Sequence, residues 1–253
     1  MPDVPGLPAA PAPDPRAMPP KSTVDEIRAR FDADVERFAS LDTGQATTVD
    51  APLVLDLIAE AAASVTPHAR SLLDVGCGAG NYALRVLREL PDLDVDLLDL
   101  SRPMLDRAAA RVGAATAGAV RTLQGDVRDL DLGDACYDLV VTGAALHHLR
   151  TEAEWEAVFA ALHRALRPGG SVWLSDLVTH DTEAVQALMW RRYGAYLTDL
   201  KDEAFRDHVF AYVQREDTPR SLVYQLDLLR CVGFRGVDVL HKTSVFAAFG
   251  GIR

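Results

Sequence analysis

The chain of 253 residues is 49% hydrophobic and 25% charged, with 26 Lys and Arg against 37 Asp and Glu and a formal net charge of −11. That length and composition suit a globular protein with a sizeable core. No window reaches the ~18–20 consecutive apolar residues of a membrane-spanning helix, and the acidity excludes a broad basic face for nucleic acid while allowing a small basic pocket.

Residues 1–21 open with MPDVPGLPAAPAPDPRAMPP, which holds most of the chain's 14 prolines. Proline removes backbone donors, so this stretch is predicted to be a disordered or polyproline-like tail. It has neither the basic and apolar regions of a secretory signal nor the Arg- and Ser-rich pattern of a transit peptide. A helix is predicted from Ser22 or Thr23 to about Ser40, because Thr23 and Glu26 make a capping box and Ile27, Phe31, Val35 and Phe38 recur at helical spacing. The turn-rich link LDTGQATTVD leads to a second helix around 51–65, and 22–66 together read as an N-terminal lid.

From residue 71 short apolar runs alternate with amphipathic helices. The runs are 71–75, 95–100, 120–124, 137–143 and 171–177, and the helices between them are roughly 80–90, 102–112 and 152–166. Continuous apolar strands separated by helices predict an α/β fold with a parallel sheet covered on both faces. Arg167-Pro168-Gly169-Gly170 is expected to stop the last of these helices in a turn. The segment 182–215 breaks the rhythm with a long helical pattern rich in aromatic and charged residues. Thr218-Pro219 then predicts a helix start, Gly233 its end, and 234–240 and 244–250 two closing strands. Cys77, Cys136 and Cys231 are widely spaced, with no CxxC pair and no histidine cluster at metal-ligand spacing. This predicts no disulfide framework and no metal site, and points to a reducing, cytoplasmic compartment.

The sharpest local feature is Leu72-Leu73-Asp74-Val75-Gly76-Cys77-Gly78-Ala79-Gly80-Asn81, an apolar strand running through three alternate glycines into a helix. Glycines there allow a tight turn and close approach of a ligand to the main chain. A dinucleotide fingerprint would want Gly or Ala where Asn81 stands, so a nucleoside without a pyrophosphate fits better. Asp99 ends the next strand and is placed to accept from both ribose hydroxyls. Asp126 and Val127, after the third strand, could receive an adenine amine and pack on the base. Both aspartates could equally cap turns or helices.

DVGCGAG, VDLLDLSRPML, GDVRDL, YDLVVTGAALHHL and LRPGGSVWLSD, in that order, together resemble the class I S-adenosylmethionine-dependent methyltransferases. The resemblance covers roughly 70–180 closely. It implies a Rossmann-like, seven-stranded, mostly parallel sheet over 67–253, with 244–250 as its one reversed strand and a helical cap over 182–215. By position it places Asp74, Gly76, Cys77 and Gly78 at the methionine end of S-adenosyl-L-methionine, Asp99 on the ribose, Leu100 and Met104 beside the adenine, and Asp126 and Val127 on the base. Thr142 and Gly143 would face the sulfonium.

The function expected is methyl transfer to an O, N or C atom of a small-molecule acceptor, which needs alignment and exclusion of water. His147 and His148, following the fourth strand, are the candidate catalytic residues, since histidine titrates nearest neutrality. The acceptor pocket is expected from the N-terminal helices and from the cap, and the resemblance implies that the link before 51 folds across the cofactor with Phe38, Thr43 and Gln45 as lid contacts. Candidates are Trp190, Arg191, Tyr193 and Tyr196, with Arg220 and Tyr224; Arg191, Arg192 and Arg220 would suit an anionic acceptor. The same aromatics could instead form the cap's own core, with its arginines paired to Asp199, Asp202, Glu203 and Asp207. The aromatic-rich cap also offers a homodimer surface. The closing half bears a looser likeness to carboxy-S-adenosylmethionine synthases, which would give Arg220 a carboxylate to hold and keeps a non-methylating reaction open beside a noncatalytic binding module.

Overall fold

Leu72, Leu73 and Val75 alternate between two apolar clusters, and so do Leu139, Val140 and Val141. Such strands have no solvent face and must sit between helical layers. The computed structural model describes residues 21–40 and 45–253. It builds seven strands: β1 (Ser71–Val75), β2 (Asp94–Asp99), β3 (Val120–Gln124), β4 (Tyr137–Gly143), β5 (Leu166–Leu177), β6 (Arg235–Thr243) and β7 (Phe246–Ile252). Their order is β3-β2-β1-β4-β5-β7-β6, with β7 antiparallel to both β5 and β6. This is the Rossmann-like sheet that the resemblance implied, with the reversed strand where it was expected. The proline-rich residues 1–20 and Thr43 lie outside the described residues. Among the described residues no helix is long and apolar enough to cross a membrane.

The helices are α1 (Val24–Asp32), α2 (Val35–Ala39), α3 (Ala51–Val65), α4 (Asn81–Glu89), α5 (Arg102–Gly113), α6 (Glu152–Ala165), α7 (Glu183–Leu200), α8 (Glu203–Glu216) and α9 (Leu222–Val232). One face of the sheet is covered by α3, α4 and α5 through Ile58, Val86 and Leu105. The other is covered by α6 and α9, where Trp155 and Phe159 are fully buried. Helices α7 and α8 form the cap, around a third cluster of Tyr193, Leu197 and Val209 with Leu177 and Val245 from the sheet end.

Three local expectations are corrected. The single helix over 22–40 is two, broken at Ala33-Asp34, although the Thr23–Glu26 capping box is present. The break leaves Phe31 and Phe38 edge to face at 5.3 Å. The helix over 152–166 does end just before Arg167, but Arg167–Gly170 is not a free turn: Tyr137 pairs with Leu166 and Leu139 with Ser171, so the four residues loop out as a bulge within β5. Helix α9 starts after Ser221, whose hydroxyl accepts from the Tyr224 N–H, rather than at Pro219. A serine side chain satisfies an orphan N–H of the first turn, which a proline that only presets φ does not, and Thr179 bridges to Ser221 beside it.

Candidate active site

Chain order reverses between β1 and β4, and the carboxyl ends of strands diverge there into a crevice. A cavity of about 690 Å³ opens at that point, within the range of small-molecule sites. The cofactor residues expected from the sequence that line it are Gly76, Cys77, Gly78, Asp99, Leu100, Met104, Asp126, Val127 and Gly143. Asp74 and Thr142 are buried behind that wall.

The glycine loop is held open by backbone geometry. Gly76, Gly78 and Gly80 have φ of 64°, 50° and 83°. A Cβ on Gly76 would lie 2.5 Å from the Ala145 Cβ, so the loops after β1 and β4 touch there; a Cβ on Gly78 would meet nothing within 4 Å. The second position is therefore open to a ligand. Asp99 ties this loop to the start of α5: its Oδ2 accepts from the Gly78 N–H at 2.8 Å and its Oδ1 from the Ser101 N–H at 2.9 Å. Each oxygen keeps a lone pair for the cavity that Asp99 lines. Burial pushes the Asp99 carboxyl up, against the pull of those donors.

Asp74 accepts from the Ala83 N–H at the start of α4 with Oδ2, while its Oδ1 has no partner. Burial raises its pKa to about 7. Burial likewise pushes the Cys77 thiol well above its ordinary value, so it stays neutral. Asp126 is held by Arg128, at 2.9 Å from Nε to Oδ1, and these contacts outweigh burial to keep its carboxyl below the usual range. Asn81, where a dinucleotide site would carry glycine, instead donates to the Phe38 carbonyl at 3.0 Å and ties lid to loop.

Beyond the loop stand His147 and His148, on a short 3₁₀ turn at Leu146–His148, and both line the cavity. His147 is fixed by Asp176 of β5: Nδ1 bonds Oδ1, and the His147 N–H donates to Oδ2 at 3.0 Å. Burial works against its imidazolium, but the Asp176 and Asp217 charges prevail and raise its pKa to about 9. For His148, burial and the charges of His147 and Arg150 push the pKa well down. Asp217, just after α8, faces both rings at 3.6 Å, and burial raises its pKa to about 6.

Of the acceptor residues expected from the sequence, Tyr193 lines the cavity and Trp190, Arg191, Tyr196, Arg220 and Tyr224 do not. Trp190 packs edge-on to Phe210 at 4.9 Å inside the cap. Tyr196 donates to the Ala46 carbonyl at 2.7 Å. Arg220 reaches Glu152 at 3.7 Å, and Tyr224 packs against Trp155. Arg191 and Arg192 are exposed, so the arginines that suggested an anionic acceptor do not meet on the cavity. The cap wall comes instead from α8, through Phe205, His208, Val209, Tyr212 and Val213. That i, i+3, i+4, i+7, i+8 stripe is readable in the sequence as the helix face turned inward.

The lid is held by one buried carboxylate. Glu216, at the end of α8, receives Arg30 of α1 at 2.8 Å, Ser22 at 2.9 Å and Arg215 at 2.6 Å. Glu216→Gln preserves volume but leaves both arginines without a counter-charge, a loss of about 1–3 kcal/mol for a pair exposed on one side. Amide hydrogen exchange over Val24–Asp32 should accelerate about 5- to 150-fold; unchanged exchange would mean that apolar packing alone holds the helix.

Residues 72–170 match the family described as a methyltransferase domain. This match takes in about two fifths of the chain and agrees with the resemblance to the class I S-adenosylmethionine-dependent methyltransferases. It is 35% identical over 140 residues to a dTDP-3-amino-3,4,6-trideoxy-alpha-D-glucopyranose N,N-dimethyltransferase of Streptomyces venezuelae, covering 55% of this chain and 54% of that one. It is 27% identical over 198 residues to a carboxy-S-adenosyl-L-methionine synthase of Shewanella loihica, covering 75% and 78%. Among solved structures, the fold is shared with the 1,6-didemethyltoxoflavin-N1-methyltransferase of Burkholderia thailandensis, which has 1,6-didemethyltoxoflavin and S-adenosylhomocysteine bound. The TM-score is 0.61 at 18% identity, covering 93% of this chain and 92% of that one. The chain spans about half the length of the curated relatives it matches at 35% identity, and the lid, the cap and the closing strands lie outside the matched residues 72–170.

Proposed function

We propose that this chain transfers a methyl group from S-adenosylmethionine to a small, mainly apolar acceptor bearing one polar atom. The observation that carries this reading is the single cavity wall on which Asp99, the open face of Gly78 and the His147-His148 turn all meet. The residues fit the cofactor: Asp99 has lone pairs for two ribose hydroxyls, Met104 and Val127 flank the space for the base, and Gly78 lets the chain approach closely. When bound there, the cofactor supplies a methyl made electrophilic by its sulfonium.

The protein's part is binding, alignment and exclusion of water. Ile27, Phe31 and Phe38 of the lid face Tyr193, Val209 and Phe246 across the cavity. These walls fit a flat or apolar body and leave the histidine turn to receive its polar atom. The arginines on the wall already answer carboxylates, Arg30 and Arg215 at Glu216, Arg37 at Asp34 and Arg128 at Asp126, which favours a neutral acceptor over an anionic one.

The test is turnover of S-adenosylmethionine with and without a panel of small phenols, alcohols and amines. S-adenosylhomocysteine should form only when an acceptor is present. Consumption of S-adenosylmethionine without any acceptor would overturn methyl transfer in favour of a reaction like that of the carboxy-S-adenosylmethionine synthases.

A further inference from the structure

Three side chains from two distant parts of the chain point at one spot beside the cavity. They are His147 and His148 on the 3₁₀ turn and Asp217 after α8, and one ligand atom from each lies within 4.8 Å of the others. His147 Nε2 and His148 Nδ1 each stand 3.6 Å from Asp217 Oδ1. This is too long for a hydrogen bond. It is close to the edge of a coordination tetrahedron, about 3.4 Å for ligands held about 2.1 Å from a metal.

Two of the three side chains carry buried atoms with no hydrogen-bond partner. Asp217 Oδ1 and both nitrogens of His148 are buried with no hydrogen-bond partner, and the Asp217 side chain is 4% exposed. A buried carboxylate oxygen without a donor is costly. Neighbouring cations could have supplied one and do not. Lys21 donates to the main-chain carbonyls of Gln214 and Asp217, while Arg150 donates to Glu216 O, Thr218 Oγ1 and Ser22 O. Meanwhile Asp176 accepts from His147 Nδ1. That bond leaves Nε2 turned toward Asp217, where a bound ion would take the place of its proton, as in the carboxylate–histidine–metal arrangement that orients ligands at metal centres.

We propose that His147, His148 and Asp217 bind one divalent transition ion of the zinc type, with its fourth position open to the cavity. Two imidazoles and one carboxylate select such an ion over magnesium or calcium, and three protein ligands with one open position mark a catalytic rather than a structural site. Two carboxylates, Asp176 and Asp217, offset its charge. The spacing rules applied to the sequence could not find this site, because Asp217 lies far from the histidines in the chain.

The site deepens the proposed methyl transfer, on which its chemical role rests, by naming the acceptor as a hydroxyl compound. A hydroxyl at the fourth position loses its proton to solvent more readily, because the ion lowers its pKa. The oxygen lone pair then forms the O–C bond as the C–S bond breaks, and sulfur keeps that bonding pair as a neutral thioether.

The experiment is titration of the metal-free full chain with Co²⁺, read by visible absorption, and with Zn²⁺, read by calorimetry. Cys136 and Cys231, the exposed thiols, are alkylated beforehand. One ion should bind per chain with the intense visible bands of tetrahedral cobalt. His148→Ala and Asp217→Asn should each weaken binding at least 100-fold, and Asp176→Asn by about 10- to 100-fold through the supporting bond. S-adenosylhomocysteine binding and circular dichroism are measured on the same samples. No cobalt bands, or binding unchanged in a folded His148→Ala, overturns the metal site. If S-adenosylhomocysteine still binds, the methyl-transfer reading survives that loss. Metal uptake lost in the variants with no S-adenosylhomocysteine binding in the wild type would keep the metal site and remove that reading.

Discussion

Asp99→Ala should abolish measurable S-adenosylhomocysteine binding. The carboxylate holds the Gly78 and Ser101 N–H groups and lines the cavity at the end of β2, so it both shapes the loop and presents the lone pairs for the ribose. Hydrogen bonds to a charged group contribute about 1.5–3 kcal/mol each, and losing two amounts to about 3–6 kcal/mol, or 10²- to 10⁴-fold in affinity. Asp99→Asn should lose less, since one amide oxygen remains, though its NH₂ must face one of the two N–H groups. Calorimetry checks both. An affinity within threefold of wild type in Asp99→Ala would remove Asp99 from the ribose.

The second large effect separates two glycines of the same loop. Gly76→Ala places a methyl 2.5 Å from the Ala145 Cβ at φ 64°, and neither atom is the end of a flexible side chain. Left-handed strain of about 1–2 kcal/mol and overpacking of about 1–3 kcal/mol combine to a loss of roughly 2–5 kcal/mol. For a chain of this size that is a fall in Tm of about 5–15 °C. Gly78→Ala has the strain without the clash, since nothing lies within 4 Å of its Cβ. Its Tm should fall by only a few degrees while S-adenosylhomocysteine affinity falls at least tenfold, because the added methyl takes up ligand space. Thermal unfolding and calorimetry on both variants test this. Equal Tm losses, or full affinity in Gly78→Ala, would contradict the assignment of that open face to the cofactor.

What the sequence made legible follows from how local the physics is. The β1–glycine–α4 passage is written in consecutive residues: an apolar run, positions needing positive φ, then a helix. Asp99 was placed by strand periodicity alone, and the reversed β7 by the resemblance. The cap residues were not legible in the same way. Trp190 and Tyr193 are three apart on α7, yet only Tyr193 reaches the cavity, because Trp190 turns onto Phe210. Aromatic content says that a helix buries something, and the face is set by the neighbour it meets. Asp176 and Asp217 were invisible for a further reason. Their meaning comes from His147, which tertiary structure brings to them from β5 and from the end of α8. Pro219 marks a helix start in the sequence because fixed φ is visible there, whereas the Ser221 side-chain cap depends on where the chain approaches.

The most direct test of the account is calorimetric titration of the wild-type chain with S-adenosylhomocysteine and, separately, with NAD⁺. The glycine loop carrying Asn81 and the Asp99 carboxylate predict one S-adenosylhomocysteine per chain and no binding of NAD⁺. Binding of NAD⁺ with none of S-adenosylhomocysteine would contradict it.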